Sequence, residues 1–143
     1  MTTTSLSARE PVTSLPTTRM LVTVIGAGVA TIAGWSVVTA LTGGTGTMTS
    51  AAAGAALVTG ISVLSLLAIG PWKSREMGTW ANLWLAALVG RLLLTPALAY
   101  LLYSATPLSL IPLMLSVAVT YVVVQISEAA ALAAHLNRIF ATP

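Results

Sequence analysis

Two side chains of opposite charge, Arg91 and Glu128, interrupt long apolar stretches and are the residues of this chain best suited to chemistry. A carboxylate at membrane depth is a common component of ion and proton paths, and an arginine is a suitable counter-charge for it. Either charge left alone in hydrocarbon costs on the order of 3 kcal/mol on insertion scales. We therefore expect the two side chains to contact each other.

Further polar side chains share a predicted helical face with Glu128. Residues Tyr121, Gln125, Glu128, Leu132 and His135 follow a 4-3-4-3 spacing. This spacing places them on one stripe of a helix. The stripe indicates either a buried polar network that fixes the register of the helix or an ion or proton path. We interpret His135 by itself as a residue of the membrane interface.

The elements that must position these residues are four apolar segments, each long enough to cross a bilayer. They cover residues 20–41, 51–70, 80–103 and 108–134, and about 20 residues suffice to span roughly 30 Å of hydrocarbon. A mean hydropathy of +0.96 with 6% charged residues leaves too little polar surface for a water-soluble domain. The sequence predicts a multi-pass integral membrane protein.

Backbone hydrogen bonding selects helices rather than barrel strands for these segments. Lipid offers no hydrogen-bond partner, so a spanning segment satisfies its own amides as a helix or joins a closed barrel. Barrel strands alternate polar and apolar residues, whereas residues 64–69 and the other segments show no alternation. Short links make consecutive helices antiparallel. We predict an all-α bundle of four transmembrane helices, arranged as two antiparallel hairpins, in a domain of residues 20–138.

The basic residues outside the segments predict how the bundle is oriented. Arg9, Arg19, Lys73, Arg75 and Arg138 all fall on one side of the four spans, and the two loops on the other side carry no charge. By the positive-inside rule, the basic side and both termini are cytoplasmic or in the organellar equivalent. We expect the bacterial inner membrane.

Arg91 and Glu128 are predicted at matching depths from this basic side. Arg91 follows Trp84 and Trp80 by seven to eleven residues, which corresponds to a depth of roughly 10–16 Å. Glu128 precedes Ala134 and Arg138 by six to ten residues, or roughly 9–15 Å. The depths therefore favour a direct ion pair between adjacent antiparallel helices.

The two ends of the chain and its composition exclude several classes of site. Nine of residues 2–18 are Ser or Thr and show no apolar period, so residues 1–19 are predicted to be a disordered tail. Residues 139–143 are predicted to be a short C-terminal tail. The absence of cysteine excludes disulfides and thiolate metal sites. We predict no bound metal and no cofactor. We also predict no nucleic-acid partner, because no large basic patch exists.

Small residues recur four positions apart in three of the predicted helices. In lipid such stripes allow two helix backbones to approach closely. We interpret the stripes as packing faces within the bundle, with oligomerisation as the alternative. The stripes are Gly26, Ala30 and Gly34; Ala52, Ala56 and Gly60; and Ala86 and Gly90.

Two short motifs give the chain a resemblance to a known family. Residues 89–94 read Val-Gly-Arg-Leu-Leu-Leu, and residues 124–128 read Val-Gln-Ile-Ser-Glu. Over roughly residues 20–138 the chain resembles ATP synthase protein I, a small four-helix accessory protein of bacterial F-type ATP synthases. It departs from that family in its long Ser/Thr-rich tail and uncharged outer loops. The resemblance implies a non-catalytic factor that helps to assemble the rotor ring of c subunits, and a role in divalent-cation supply is also associated with the family.

Three classes of function remain open. The preferred hypothesis is an assembly or accessory protein whose partners are the lipid bilayer, other membrane subunits or further copies of itself. The second is a small ion or proton-coupled transporter that uses Glu128, although the neighbouring Arg91 would repel a bound cation. The third is a holin-like pore-former. No nucleophile–base pair is evident, so we predict no catalytic residues and no enzymatic activity.

Overall fold

Four long helices make up almost all of the described structure. The computed structural model describes residues 12–13, 16–42 and 44–140. Its elements are β1 (Val12–Thr13), α1 (Thr17–Thr42), α2 (Thr45–Ile69), β2 (Arg75–Glu76), α3 (Met77–Ala105) and α4 (Leu110–Phe140). All four helices are long and apolar enough to cross a membrane. The predicted all-α transmembrane bundle is confirmed, and the chain is a multi-pass integral membrane protein.

Helices α2 and α4 are longer than the sequence predicted. Helix α2 begins at Thr45 rather than at residue 51, and α4 continues to Phe140 instead of ending at residue 134. The polar start of α2 is compatible with a helix because its hydroxyls bond within the first turns. Thr49 and Ser50 both donate to the carbonyl of Gly46 at 3.1 Å. At 31 residues, α4 is about 46 Å long and extends beyond the hydrocarbon.

The region before α1 differs from the predicted tail of residues 1–19. Strand β1 pairs antiparallel with β2, and α1 begins at Thr17. The start of α1 follows Pro16, whose carbonyl accepts a hydrogen bond from the Met20 amide at 3.1 Å. At the other end, the first two residues of the predicted C-terminal tail belong to α4. The remainder of both predicted tails, residues 1–11, 14–15 and 141–143, lies outside the described residues.

The most extensive helix interface joins α2 and α4, which belong to different hairpins and run in the same direction. Two serine hydroxyls form hydrogen bonds at the beginning of this interface. The backbone amide of Ser109 donates to the Ser50 hydroxyl at 2.9 Å, and the buried Ser116 hydroxyl donates to the Ala51 carbonyl at 2.6 Å. Helix α1 packs against both α2 and α4, and α3 packs mainly against α2.

Two glycines allow close contact between helices of the bundle. A Cβ atom added at Gly54 would lie 2.8 Å from the carbonyl oxygen of Leu113 in α4. An added Cβ at Gly28 of α1 would overlap the side chain of Thr59 in α2. These two glycines therefore let α2 approach α4 and α1 at distances that no larger residue permits.

Three small apolar clusters form the core along the length of the bundle. The first cluster lies at the end that carries the basic residues, hereafter the basic end, and Leu132 of α4 packs against it. It draws on all four helices, whereas the other two clusters join three helices each. Their buried members are Met20, Leu66, Ile69 and Trp80; then Val24, Ala27 and Val124; then Val58, Ala99 and Val117.

The predicted small-residue stripes do not form the interfaces within the bundle that were expected of them. A Cβ added at any of the four glycines in the stripes would meet nothing within 4 Å, and the alanines are exposed or half-buried. Four-residue spacing shows that small residues share one face of a helix, but not whether that face is turned toward the bundle or toward lipid. In addition, α1 and α2 carry small residues on more than one face. The outward glycines are Gly26, Gly34, Gly60 and Gly90; Ala30, Ala56 and Ala86 are exposed, and Ala52 is half-buried.

We predict that Gly54→Ala destabilises the protein by about 1–3 kcal/mol, because the new methyl group meets a backbone oxygen that has little room to move. Gly34→Ala is the matched control, since its methyl group enters open space. It should be neutral or stabilise the helix by up to about 1 kcal/mol. Thermal unfolding of both variants in mild detergent measures the difference. Equal unfolding temperatures would show that Gly54 is not a close-packing position.

Candidate functional site

The expected contact between Arg91 and Glu128 is present at the centre of the site. The Nη1 atom of Arg91 donates to both carboxylate oxygens of Glu128, at 2.7 Å to Oε1 and 2.6 Å to Oε2. The side chains are 4% and 1% exposed, respectively. Charge-assisted hydrogen bonds of this length are about twice as strong as neutral ones. The pair is thus buried and closely engaged.

Helix α2 supplies the remaining partners of the guanidinium group. The Nε atom of Arg91 donates to the Ser65 hydroxyl, and Nη2 donates to the Ser62 carbonyl at 3.4 Å. The Ser65 hydroxyl in turn donates to the same Ser62 carbonyl at 3.0 Å. All three guanidinium nitrogens are therefore engaged. Through them, Arg91 of α3 is bonded to both α2 and α4.

Sequence reasoning missed Ser62 and Ser65, although a signal for them exists. Ser62 lies seven residues before the end of α2 at Ile69, a depth of roughly 10 Å. That depth falls within the range predicted for Arg91. Ser65 lies nearly one turn closer to that end, and its hydroxyl is a natural partner for a buried guanidinium group, whereas Ser62 contributes its backbone carbonyl.

Helix α3 presents only a narrow face to the bundle around the pair. Arg91, Thr95 and Ala99 are buried at four-residue intervals, which places them on one stripe of the helix. On the other faces, Leu92, Leu93 and their apolar neighbours are exposed. Arg91 is therefore part of the limited surface by which α3 joins the other helices.

Only part of the predicted polar stripe of α4 lies beside the ion pair. Gln125 lies beside the pair and lines a narrow crevice with Arg91 and Glu128. Its Nε2 atom is buried and has no hydrogen-bond partner within the described residues. Tyr121 instead packs against the third apolar cluster, and the buried Nε2 atom of His135 likewise lacks a partner in that part of the chain. No continuous chain of hydrogen bonds links the stripe there.

The arrangement is suited to holding helices together. Both charges are satisfied by each other, and two serines complete the coordination of the guanidinium group. In residues 12–13, 16–42 and 44–140, no group of three His, Cys, Asp or Glu side chains could hold a metal ion. The geometry supports a structural ion pair more than an ion-binding carboxylate.

Comparisons of this chain with known protein families, with curated proteins and with solved structures found no match. The resemblance to ATP synthase protein I therefore stays a prediction. It continues to depend on the motifs that contain Arg91 and Glu128.

We predict strong energetic coupling between Arg91 and Glu128. Arg91→Leu or Glu128→Leu alone should destabilise the protein by about 3–5 kcal/mol, because each leaves an unpaired buried charge. The double replacement should recover most of that loss, since it leaves no charge in the apolar interior. Unfolding in detergent of the two single variants and the double variant measures the coupling.

The neighbouring exposed Leu92 provides a matched control for this cycle. Leu92→Ala alters the same turn of α3 on its outward side and should change stability by less than about 0.5 kcal/mol. Losses that simply add in the double variant would mean that the two charges act independently.

Proposed function

We propose that this protein is a non-catalytic accessory or assembly factor of a membrane protein complex. The observation that carries the proposal is the mutual engagement of its intramembrane charges. Arg91 and Glu128 bond to each other, and α2 accepts hydrogen bonds from the other two guanidinium nitrogens. A carrier needs a carboxylate that exchanges its partner during transport. A structural ion pair of this kind favours a protein that acts by contacting partner proteins through its surface.

The outward small-residue stripe of α1 supplies a candidate surface for such a partner. Gly26 and Gly34 have open space beside them, and Ala30 between them is exposed. A groove of about 420 Å³ beside the stripe is lined by side chains of α1 and α4, including Trp35 and Val119. Small residues facing lipid permit the backbone of another helix to approach closely. The stripe therefore favours association with a second membrane helix.

The resemblance to ATP synthase protein I makes the proposal specific. On that basis the complex is the F-type ATP synthase, and the partners are the c subunits of its rotor ring. The excess of basic residues at one end supports a cytoplasmic location for that end. The proposed location is the bacterial inner membrane.

Co-purification in mild detergent tests the assembly function. Mass spectrometry of complexes captured with the tagged protein should identify subunits of one membrane complex, with c subunits as the specific expectation. Replacing Gly26, Ala30 and Gly34 together with leucine should reduce partner recovery to background, because the backbone of the partner can no longer approach. The control replaces Val22, Val29 and Val37 with leucine, since these α1 residues are exposed but already large. Equal recovery from both triple variants would contradict the role of the stripe.

A flux measurement separates this function from proton-coupled transport. Liposomes containing the purified protein and a pH-sensitive dye should show no proton flux above empty liposomes. The double variant Arg91→Leu/Glu128→Leu keeps the interior free of unpaired charge and should still support co-purification. Flux in the unaltered protein that disappears in this variant would overturn the assembly proposal in favour of a transporter.

A further inference from the structure

A groove of about 620 Å³ lies between α3 and α4 toward the basic end of the bundle. Trp80, Trp84 and Leu88 lie one turn apart along its α3 wall, and Leu132 and Leu136 form its α4 wall. These lining side chains are apolar or aromatic. The rim is open to the side, since Leu85 is 60% exposed. In a membrane, this opening faces the hydrocarbon of the bilayer.

The length of the groove matches one leaflet of the bilayer. Trp80 and Leu88 are eight residues apart in α3, which corresponds to about 12 Å along the helix. Half of the hydrocarbon core is about 15 Å. A partner transmembrane helix would pack across both leaflets, whereas the acyl chain of a lipid occupies one. The dimensions therefore favour a lipid chain as the occupant.

The mouth of the groove carries positive charge. The guanidinium carbon of Arg75 lies 5.6 Å from the ring centroid of Trp80, and Trp80 itself lines the groove. The described charged side chains outside the spans at this end are Arg19, Lys73, Arg75 and Arg138 against Glu76. An anionic headgroup complements this excess of positive charge.

We propose that this groove binds an acyl chain of an anionic phospholipid from the leaflet at the basic end, with its phosphate attracted by Arg75. Basic groups beside clefts between transmembrane helices are a recognised way of selecting anionic headgroups. Trp84 and Leu88 also line the crevice beside Arg91 and Glu128. A bound chain would therefore cover the side of the ion pair that lies between α3 and α4. This inference does not depend on the proposed assembly function.

Quenching of tryptophan fluorescence by brominated lipids tests the proposal on the full-length protein. Trp35→Phe and Trp72→Phe leave Trp80 and Trp84 as the reporters in the groove. The protein is placed in phosphatidylcholine vesicles that contain increasing fractions of dibrominated phosphatidylglycerol or, in parallel, dibrominated phosphatidylcholine. The anionic lipid should reach half-maximal quenching at a lower mole fraction. Arg75 should contribute about fivefold to this preference.

Matched variants separate the contribution of the lipid headgroup to binding from the contribution of the groove. Arg75→Gln should reduce the preference for the anionic lipid by about fivefold, whereas Lys73→Gln should leave most of it. Ala81→Phe places a ring in the groove and should abolish saturable quenching. Ala86→Phe is its control, because Ala86 is exposed on another side of α3 and does not line the groove.

Several results would overturn the proposal. Equal quenching by the two brominated lipids would show that the groove is ordinary lipid-facing surface. A preference that survives Arg75→Gln would exclude the proposed headgroup contact. If Ala81→Phe prevents insertion of the protein, native mass spectrometry of the Arg75→Gln variant is the deciding measurement. Phosphatidylglycerol retained equally by the unaltered protein and by Arg75→Gln would then contradict the proposal.

Discussion

The arrangement of α3 depends on the high free-energy cost of an unpaired charge in lipid. Exposed leucines and valines gain nothing by leaving the hydrocarbon of the bilayer, because the lipid tails are equally apolar. The outer faces of α3 are of this kind. Its buried stripe contains Arg91 and Thr95, and the guanidinium group bonds to α2 and α4 together. The ion pair therefore determines which face of α3 is directed inward.

The other three helices are held by a different physical principle. Close packing joins α2 to α4 at Gly54, against the Leu113 carbonyl, and α2 to α1 at Gly28, against the Thr59 side chain. Serine hydroxyls add polar contacts that need no charge, as in the bond from Ser116 to the Ala51 carbonyl. The bundle thus contains a closely packed group of α1, α2 and α4. Helix α3 packs against this group through a small apolar face and through the ion pair that Arg91 forms.

Sequence reasoning predicted the helices and the ion pair because each follows from a constraint imposed by lipid. Segment length and hydropathy define the spans, and the cost of a charge requires Arg91 and Glu128 to find each other. The direction of the small-residue stripes was not predictable in this way. A glycine such as Gly34 can face lipid at no desolvation cost, so its spacing does not distinguish an inner face from an outer one. The early start of α2 was missed because its Gly and Thr residues are equally typical of a turn. Nothing in the alternation of β1 or β2 predicts that these two-residue strands pair.

Spin-label distances between α3 and α1 test whether the ion pair holds α3 in place. The chain has no cysteine, so labels can be attached at Leu98→Cys and Val37→Cys, two exposed positions. We expect one narrow distance distribution in the native background and a broad one after Arg91→Leu. A reference pair at Val37→Cys and Val122→Cys, between α1 and α4, should remain narrow in both. An unchanged distribution between α3 and α1 in the Arg91→Leu variant would show that the ion pair does not hold α3 in place.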